Sequence, residues 1–293
     1  SGTRALQRTT VSWWGNHRKV LEIILQMKTQ IKPVEVDGYK TSQLEYNLGS
    51  NAEHHLHLAN ANGFPVGCYN ELIECFGSRY SCTAVDHKGA WSNYPDPDRA
   101  YTTHSFALDL IESLDRLHDK PVIGIGHSHG GVVLAHAAIL RPELFKALVI
   151  VDGATLPNRW LQPIISRLPL RLVLRLFKFI RSSHERQKNW QTRQQFLTRF
   201  ESHRTFNTFT TRALQDYAEF GLRPSSSGDF ELVFSPAWES HIFRSVGYLW
   251  TLLKPLTVPT LLLRAEHSNL YSAQQFAHRN KTLPPHIVPK TIY

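Results

Sequence analysis

Residues 126–130, with the sequence G-H-S-H-G, constrain the fold of this chain more than any other segment. They follow the apolar stretch Val122–Ile125 and precede the apolar stretch Val132–Leu140, a pattern that predicts strand, turn and helix. In such a turn the serine adopts unfavourable backbone angles, and only very small residues fit two positions before and after it. The serine hydroxyl then projects from the carboxyl edge of a sheet, next to the positive end of the following helix. Ser128 is therefore the candidate nucleophile, and the backbone N–H of His129 is a candidate oxyanion donor.

The loop after the predicted strand His54–Ala59 is the second candidate element of this site. It reads N-A-N-G-F-P over residues 60–65. Gly63 permits a turn that other residues resist, and Pro65 fixes the direction in which the chain leaves it. We expect the backbone N–H of Phe64 to be the second oxyanion donor. The candidate substrate-binding residues are Asn62, Gly63 and His127.

Predicted strands and helices alternate along most of the chain. The alternation runs from residue 30 to residue 154 and resumes from residue 237 to residue 293. Uninterrupted apolar strands between helices are typical of a mostly parallel sheet that helices cover on both faces. The first two strands, on either side of Asp37 and Gly38, form a predicted hairpin. Residues 155–236 break the alternation, and we predict that they are an inserted helical cap, called the insert below.

These segments, in this order, resemble the α/β-hydrolase superfamily. The supporting segments are N-G-F-P at 62–65, D-H-K-G at 86–89, the turn at Ser128, V-I-V-D-G at 149–153 and L-L-L-R-A-E-H-S at 261–268. The resemblance extends from about residue 32 to the end and is strongest to serine hydrolases with a helical cap. It implies a lid over the site and cleavage of an apolar carboxylic ester or related acyl substrate through an acyl-enzyme on Ser128. It implies no cofactor.

The acidic member of the implied catalytic triad has two candidates. The resemblance implies an acid after either the sixth or the seventh core strand. Asp152 follows the sixth predicted strand, and Glu266 follows the seventh, where Ser268 and Asn269 occupy the place at which an Asp is expected. We rank Asp152 first and Glu266 second. A purely structural carboxylate at the end of the strand is the alternative for Asp152.

The catalytic histidine that the resemblance implies after the last strand has no counterpart within this sequence. The last predicted strand, Ile287–Ile292, is followed only by Tyr293. We therefore expect the core to be C-terminally truncated, with the base beyond Tyr293. His286 precedes the last strand, at the wrong end of the sheet, and His127 and His129 are expected to point away from the serine. His267, near the acid loop, is the only spatially tolerable substitute within the sequence. Because a serine without a base is only weakly activated, the alternative function is a non-catalytic binding protein on the same fold.

The positive charge of the chain is concentrated in the insert. The chain has 33 Lys plus Arg and 24 Asp plus Glu, and residues 159–204 hold 11 of the basic and two of the acidic residues. A nucleic-acid footprint spread over the protein is therefore not expected. Basic residues recur at helical spacing among apolar ones after Pro169, which predicts a basic amphipathic helix. Two interpretations stay open: its apolar side packs over the active site, or it makes a peripheral contact with an anionic membrane.

Residues 1–29 are predicted to be an N-terminal extension. Met27 is the only methionine, and the first strand pattern begins just after it. Two origins are open. Either the native protein starts at Met27 and the residues before it are not native, or these residues are an Arg-rich transit segment. The oligomeric state has no signature in the sequence.

The cysteine and histidine patterns limit which cellular location and which metal sites can be predicted. Cys68, Cys75 and Cys82 form neither a disulfide framework nor a zinc site, and no apolar run is long enough to span a bilayer. A reducing, cytoplasmic location is therefore predicted. The densest histidine cluster, H-H-L-H at 54–57, has no acidic or cysteine partner nearby in sequence, so no metal site is predicted.

Overall fold

Eleven strands form two sheets in the described part of the protein. The computed structural model describes residues 29–48, 52–98, 100–201, 206 and 208–292, so the predicted N-terminal extension lies outside the described residues except for Thr29. The strands are β1 (Gln30–Val36), β2 (Tyr39–Tyr46), β3 (His54–Ala59), β4 (Tyr80–Val85), β5 (Val122–His127), β6 (Phe145–Val151), β7 (Asn189–Trp190), β8 (Leu222–Pro224), β9 (Phe230–Leu232), β10 (Thr260–Ala265) and β11 (Ile287–Ile292).

The central sheet has the order β1-β2-β4-β3-β5-β6-β10-β11. The pairs β1–β2 and β2–β4 are antiparallel, and the five remaining pairs are parallel. At the hairpin, Asp37 and Gly38 both have positive φ, at 51° and 79°. Two successive positive φ angles match the right-handed twist of the strands that the turn joins. The predicted hairpin and the mostly parallel sheet are thus confirmed.

The strand order reverses between β3 and β5. From β3 the chain moves outward to β4, and it then returns to the other side of β3 to build β5, β6, β10 and β11. Loops that leave neighbouring strands in opposite directions open a crevice at the carboxyl edge of such a sheet. The loop at residues 60–65 and the turn at Ser128 follow these two strands, so the fold brings the two sequence-predicted elements together.

Helices cover both faces of the central sheet, and others belong to the insert. They are α1 (Asn70–Glu74), α2 (Thr103–Leu117), α3 (His129–Leu140), α4 (Leu161–Arg167), α5 (Leu170–Leu176), α6 (Lys178–His184), α7 (Arg193–Glu201), α8 (Thr211–Phe220), α9 (Pro236–Ser245), α10 (Leu249–Leu252) and α11 (Ala273–Asn280). Within the ranges given above, none of the helices has both the length and the apolar character needed to cross a bilayer.

The insert has an aromatic core of its own. Its strands pair in the order β7-β9-β8. The buried residues of this core are Trp190, Phe196, Phe206, Tyr217, Ala218, Leu222 and Leu232. Phe64 of the central domain packs against this cluster, with its ring centroid 5.1 Å from that of Tyr217. The insert is therefore joined directly to the loop that follows β3.

The predicted basic helix begins as expected but is much shorter. α5 starts at Leu170, directly after Pro169, and ends before Phe177, whose extended backbone (φ −116°, ψ 93°) separates it from α6. Each of α4, α5 and α6 turns one central apolar residue inward, and these are Ile165, Val173 and Ile180. Other large apolar residues in this segment stay exposed, among them Leu176 at 59%. Two short helices, α5 and α6, thus replace the single one that the spacing predicted after Pro169.

A buried histidine in the central sheet makes the stability of the fold depend on pH. His57 in β3 is 1% exposed, and its Nδ1 lies 2.8 Å from the hydroxyl of Thr83 in β4. Burial, with the nearby His118, lowers the pKa of His57 to about 3. Below the ordinary histidine pKa the unfolded chain therefore binds a proton that the native protein does not, so stability falls as the pH falls.

We expect His57→Asn to reduce this acid sensitivity. An asparagine amide can still bond to Thr83 but does not titrate. The loss of unfolding free energy between about pH 6.5 and about pH 5 should shrink by about 2 kcal/mol, measured by urea unfolding. Asp86 and Asp109 increase stability as the pH falls, because burial raises their pKa values to about 7 and about 6. The parent protein and His57→Asn both retain these two residues, so their contribution cancels in the comparison. His267→Asn, at a 90% exposed position, controls for loss of an imidazole, and equal pH slopes for His57→Asn and the parent protein would contradict the expectation.

Candidate functional site

Ser128 lies at the sharp turn between β5 and α3. Its backbone angles, φ 52° and ψ −114°, are outside the regions that non-glycine residues normally adopt. Hydrogen bonds hold this conformation on both sides of the residue. The Ser128 N–H donates to Val151 O at 2.9 Å, and the Ser128 carbonyl accepts from Gly131 N at 3.1 Å and from Ala154 N at 2.9 Å. These bonds hold the hydroxyl in a fixed place at the sheet edge. Ser128 is partly exposed there.

Glycines permit the close backbone contacts that surround this turn. A Cβ atom at Gly126 would lie 2.6 Å from the Cα of Gly131, and one at Gly130 would lie 2.0 Å from the carbonyl oxygen of Ala59. Both distances are far shorter than any tolerated contact, and both involve backbone atoms that cannot move aside. The requirement for small residues around Ser128, expected from the sequence, thus has a steric cause.

The side chain of His129 points into the core, although its backbone opens α3. The imidazole is 2% exposed and packs edge-on against Phe106, with ring centroids 4.8 Å apart. Neither ring nitrogen has a hydrogen-bond partner among the described residues. Burial lowers the pKa of His129 to about 3, so the ring is neutral. The backbone N–H of His129, at the first position of α3, stays the candidate oxyanion donor.

The loop after β3 carries the second predicted donor. Gly63 has φ 81°, which few other residues would tolerate. The Phe64 N–H points back into the turn and donates to Ala61 O at 3.3 Å, so this donor is already weakly engaged. The Phe64 carbonyl accepts from the side-chain amide of Asn60 at 2.9 Å.

Asp86, directly after β4, ties this loop to the sheet. One carboxylate oxygen accepts from Val66 N at 2.8 Å and from the Asn60 amide at 3.2 Å. The residue is 2% exposed. Burial raises the pKa of Asp86 to about 7, although the Val66 N–H bond opposes the shift. The loop conformation therefore depends on a buried carboxyl group from the neighbouring strand.

Arg186 of the insert and Glu239 of α9 hold the same loop from above. The Asn62 amide donates to the carbonyl of Glu239 at 3.0 Å. The Glu239 carboxylate pairs with Arg186 at 2.9 Å, and Arg186 also donates to the hydroxyl of Tyr217. Gly63 packs under this ion pair, since a Cβ there would lie 3.3 Å from the Glu239 side chain. Asn62 and Gly63, predicted to bind substrate, are thus the points at which the insert and α9 are joined to the loop.

His127, the third predicted substrate-binding residue, is partly buried beside the turn. Its Nδ1 lies 3.0 Å from the hydroxyl of Tyr69, which in turn accepts from Ala61 N at 2.9 Å. Burial lowers the pKa of His127 to about 4. The residue therefore links the serine turn to the loop after β3 as a neutral hydrogen-bonding group.

Asp152 follows β6, next to Ser128. It also has a positive φ, 44°. Its carboxylate accepts from the hydroxyl of Ser268 at 2.9 Å and from Ala265 N at 3.4 Å. Burial raises the pKa of Asp152, while these two hydrogen bonds and the charge of Arg264 lower it in part. Two adjacent strands thus end in strained, non-glycine residues, which is typical of a functional edge.

Glu266, the second candidate acid, lies at the surface. Its side chain is 48% exposed, and the imidazole of His267, itself 90% exposed, lies 3.7 Å away. His286 lies just before β11, where its Nε2 is 2.6 Å from Leu256 O. In the described part of the chain, no histidine makes a hydrogen bond to Ser128 or Asp152.

Histidines of the cluster at 54–57 form hydrogen bonds within the central sheet. His55 and His57 bond to the hydroxyls of Ser81 and Thr83 on β4. In the ranges that the structure describes, no group of three or more His, Cys, Asp or Glu side chains is arranged to hold a metal ion.

Three contributors to the site were not predicted from the sequence. Asp86 had a usable signal, because it directly follows a buried strand of a parallel sheet. The bond from Ser268 to Asp152 and the ion pair of Arg186 with Glu239 join residues 116 and 53 positions apart. No local pattern identifies such partners.

The geometry agrees with what comparison to known proteins finds. A model described as the alpha/beta hydrolase family matches residues 58–291. Because this match covers most of the chain, the protein belongs to the α/β-hydrolase family. The resemblance and the fold class inferred from the sequence are confirmed.

Individual relatives are similar over shorter stretches. A probable esterase of Oryza sativa subsp. japonica is 32% identical over 100 residues, which are 33% of this chain and 37% of that protein. The karrikin insensitive 2 receptor B of Petunia hybrida is 29% identical over 110 residues, 36% of this chain and 40% of that protein. The chain thus spans well under half the length of these curated relatives.

Similarity to solved structures extends over the whole fold. The thioesterase domain from the curacin biosynthetic pathway superposes with a TM-score of 0.70, at 16% identity, over 90% of this chain and 92% of that chain. At this identity the similarity shows the fold alone.

The strained backbone of Ser128 leads to a stability prediction. Glycine tolerates a positive φ, whereas alanine retains the strain, which costs on the order of 1–3 kcal/mol. We therefore expect Ser128→Gly to be about 1 kcal/mol more stable than Ser128→Ala, measured by urea unfolding. The alanine variant is the matched control, because both changes remove the hydroxyl. If the glycine variant were the less stable of the two, the backbone at Ser128 would not be strained.

Proposed function

We propose that this protein is a serine hydrolase that cleaves an apolar carboxylic ester, or a related acyl bond, through an acyl-enzyme on Ser128. The observation that carries the proposal is the backbone of Ser128, strained at φ 52° where the strand order of the sheet reverses. Membership of the α/β-hydrolase family supports it. A conformation that costs free energy and exposes one hydroxyl is best explained by chemistry at that hydroxyl.

The proposed reaction has two stages. The Ser128 oxygen attacks the carbonyl carbon while its proton passes to a base, and the carbonyl oxygen becomes an oxyanion. The backbone N–H of His129, at the positive end of α3, and that of Phe64 donate to this oxyanion. The tetrahedral intermediate collapses, and the leaving alcohol or thiol departs with the proton. Water then attacks the acyl-enzyme, releasing the acid and restoring Ser128.

Asp152 is the proposed acid that orients the base. Its carboxylate is partly buried and held by two hydrogen bonds, whereas that of Glu266 is half exposed. The base is a histidine, which the family resemblance puts after the last strand. β11 is parallel to β10 and reaches Ile292 at the edge where Asp152 lies, because Ala265 is paired with Ile292. A histidine that follows β11 would therefore approach Ser128 from the side on which Asp152 lies.

An apolar acyl group is the proposed substrate feature. The loop that carries Phe64 meets the aromatic core of the insert, and Phe64 itself contacts Phe206, Phe209 and Tyr217. The insert would then act as a lid that covers the acyl chain. Its ion pair between Arg186 and Glu239, next to Gly63, would hold that lid to the oxyanion loop.

A fluorophosphonate probe tests the proposal on the chain expressed from its full natural reading frame. We expect covalent labelling of Ser128, located by peptide mass spectrometry, and no labelling of Ser128→Ala. Asp152→Asn should slow labelling and ester hydrolysis by about 10³–10⁴-fold, since a misoriented base loses about that much. Glu266→Gln, the matched control, should leave both rates unchanged. The reverse result for these two variants would assign the acid to Glu266.

The second candidate function is non-catalytic binding of a small ligand on the same fold. It is favoured because no described histidine makes a hydrogen bond to Ser128, and one similar protein is named as a receptor. If the full chain is not labelled at Ser128, while apolar esters raise its melting temperature without being cleaved, the hydrolase proposal is wrong and the binding function stands.

Ser268 gives the proposal a pH test. Its hydroxyl lowers the pKa of Asp152, so Ser268→Ala should raise that pKa. Because Asp152 must be ionised to stabilise a protonated base, we expect the acid limb of the hydrolysis rate to move to higher pH. Ser272→Ala, at the cap of α11, is the control substitution. An unchanged acid limb in Ser268→Ala would mean that Asp152 is not the acid.

A further inference from the structure

The segment from Arg159 to His184 forms the outer surface of the insert, and its charge is of one sign. It contains six basic residues and no Asp or Glu. The six are Arg159, Arg167, Arg171, Arg175, Lys178 and Arg181. None of them forms an ion pair with another described residue, although Arg186 and Lys188, just beyond the segment, do. This surface therefore presents a positive potential that no carboxylate among the described residues neutralises through an ion pair.

The same segment exposes an unusual amount of apolar side chain. Five of its large apolar residues are more than one-third exposed: Trp160 (61%), Ile164 (53%), Leu172 (38%), Leu176 (59%) and Phe179 (47%). The remaining exposed large apolar residues of the described chain are scattered over other elements. Single exposed apolar residues are ordinary on a protein surface, but five along three consecutive helices are a concentrated patch.

Helix α5 shows how the two features are combined. Leu172 and Leu176 are one turn apart, as are Arg171 and Arg175, and all four are exposed. Val173 on the opposite side is fully buried. The outward side of the helix is therefore half apolar and half cationic. This is the composition of a helix that lies in the plane of a membrane interface.

The neighbouring helices extend this arrangement. α4 and α6 both pack against α9, so their other sides face away from the protein. α6 adds the exposed pair Lys178 and Phe179, and before α4 the guanidinium of Arg159 lies over the Trp160 ring, 4.5 Å from its centroid. Tryptophan beside a basic residue is enriched where proteins meet lipid headgroups.

We propose that residues 159–181, called the α4–α6 face, are a docking surface for an anionic phospholipid bilayer. The basic side chains bind lipid phosphates, and the apolar side chains enter the boundary between headgroups and acyl chains. Charge complementarity selects this partner, because six unpaired cations would repel a second copy of the same face. Binding is measured without substrate, so its outcome does not depend on the proposed reaction.

Vesicle co-sedimentation tests the proposal. We expect the protein to bind phosphatidylcholine vesicles that contain phosphatidylglycerol, to bind pure phosphatidylcholine vesicles much more weakly, and to be released by added salt. Arg171→Gln with Arg175→Gln should weaken binding to the anionic vesicles by about 30-fold, at about fivefold for each cation. Leu172→Ser with Leu176→Ser should weaken it by at least about tenfold through lost apolar burial.

Two matched double variants separate the face from general surface effects. Lys120→Gln with Lys146→Gln removes two exposed charges elsewhere, and Leu72→Ser with Leu108→Ser removes two leucines exposed at 47% and 49%. Both should bind like the parent protein, and circular dichroism melting should show that all variants are folded. The proposal is overturned by absence of binding to anionic vesicles, by equal binding to neutral ones, or by equal losses in the control variants. A dimer that only the leucine variants of the face disrupt, in protein that binds no vesicles, would assign the face to a second copy instead.

Discussion

Close backbone contact around Ser128 is the constraint on which the rest of the site depends. Gly130 touches the carbonyl of Ala59, and Gly126 touches Gly131, so β3, β5 and α3 meet with no side chain between them. This contact brings the end of β3 beside the serine and thereby brings the loop at residues 60–65 and the turn at Ser128 together. It also forces Ser128 into a conformation that the chain would not adopt alone. Hydrogen bonds to Val151 and Ala154 of the neighbouring strand and its loop hold it there.

A few buried polar groups also fix the position of the loop after β3. Asp86 accepts bonds from both Asn60 and Val66, and Tyr69 joins Ala61 to His127. Each of these groups comes from a different strand end or from the helical turn after the loop. Because buried polar partners are costly to lose, the loop has one favoured position relative to Ser128. The position of this loop relative to Ser128 is thus a consequence of packing at the switch in strand order.

Local patterns predicted the features that depend on local physics. The strands His54–Ala59 and Ile287–Ile292 have the predicted bounds, because such strands are short runs bounded by turn signals. The turn at Ser128 was predictable for the same reason. The division of the insert helices was not, since Phe177 has no breaker chemistry and its extended backbone reflects tertiary packing. Nor could the sequence choose between Asp152 and Glu266, because the directions of their side chains depend on partners such as Ser268.

The ion pair between Arg186 and Glu239 connects the insert to α9. Glu239 lies on α9, and its carbonyl accepts from Asn62 in the loop after β3. The same helix supports α4 and α6, which carry the exposed basic and apolar residues. Arg186 follows α6 by two residues. The outer helices α4 and α6 and the loop after β3 thus share one support, because α9 packs against both helices and accepts a hydrogen bond from that loop.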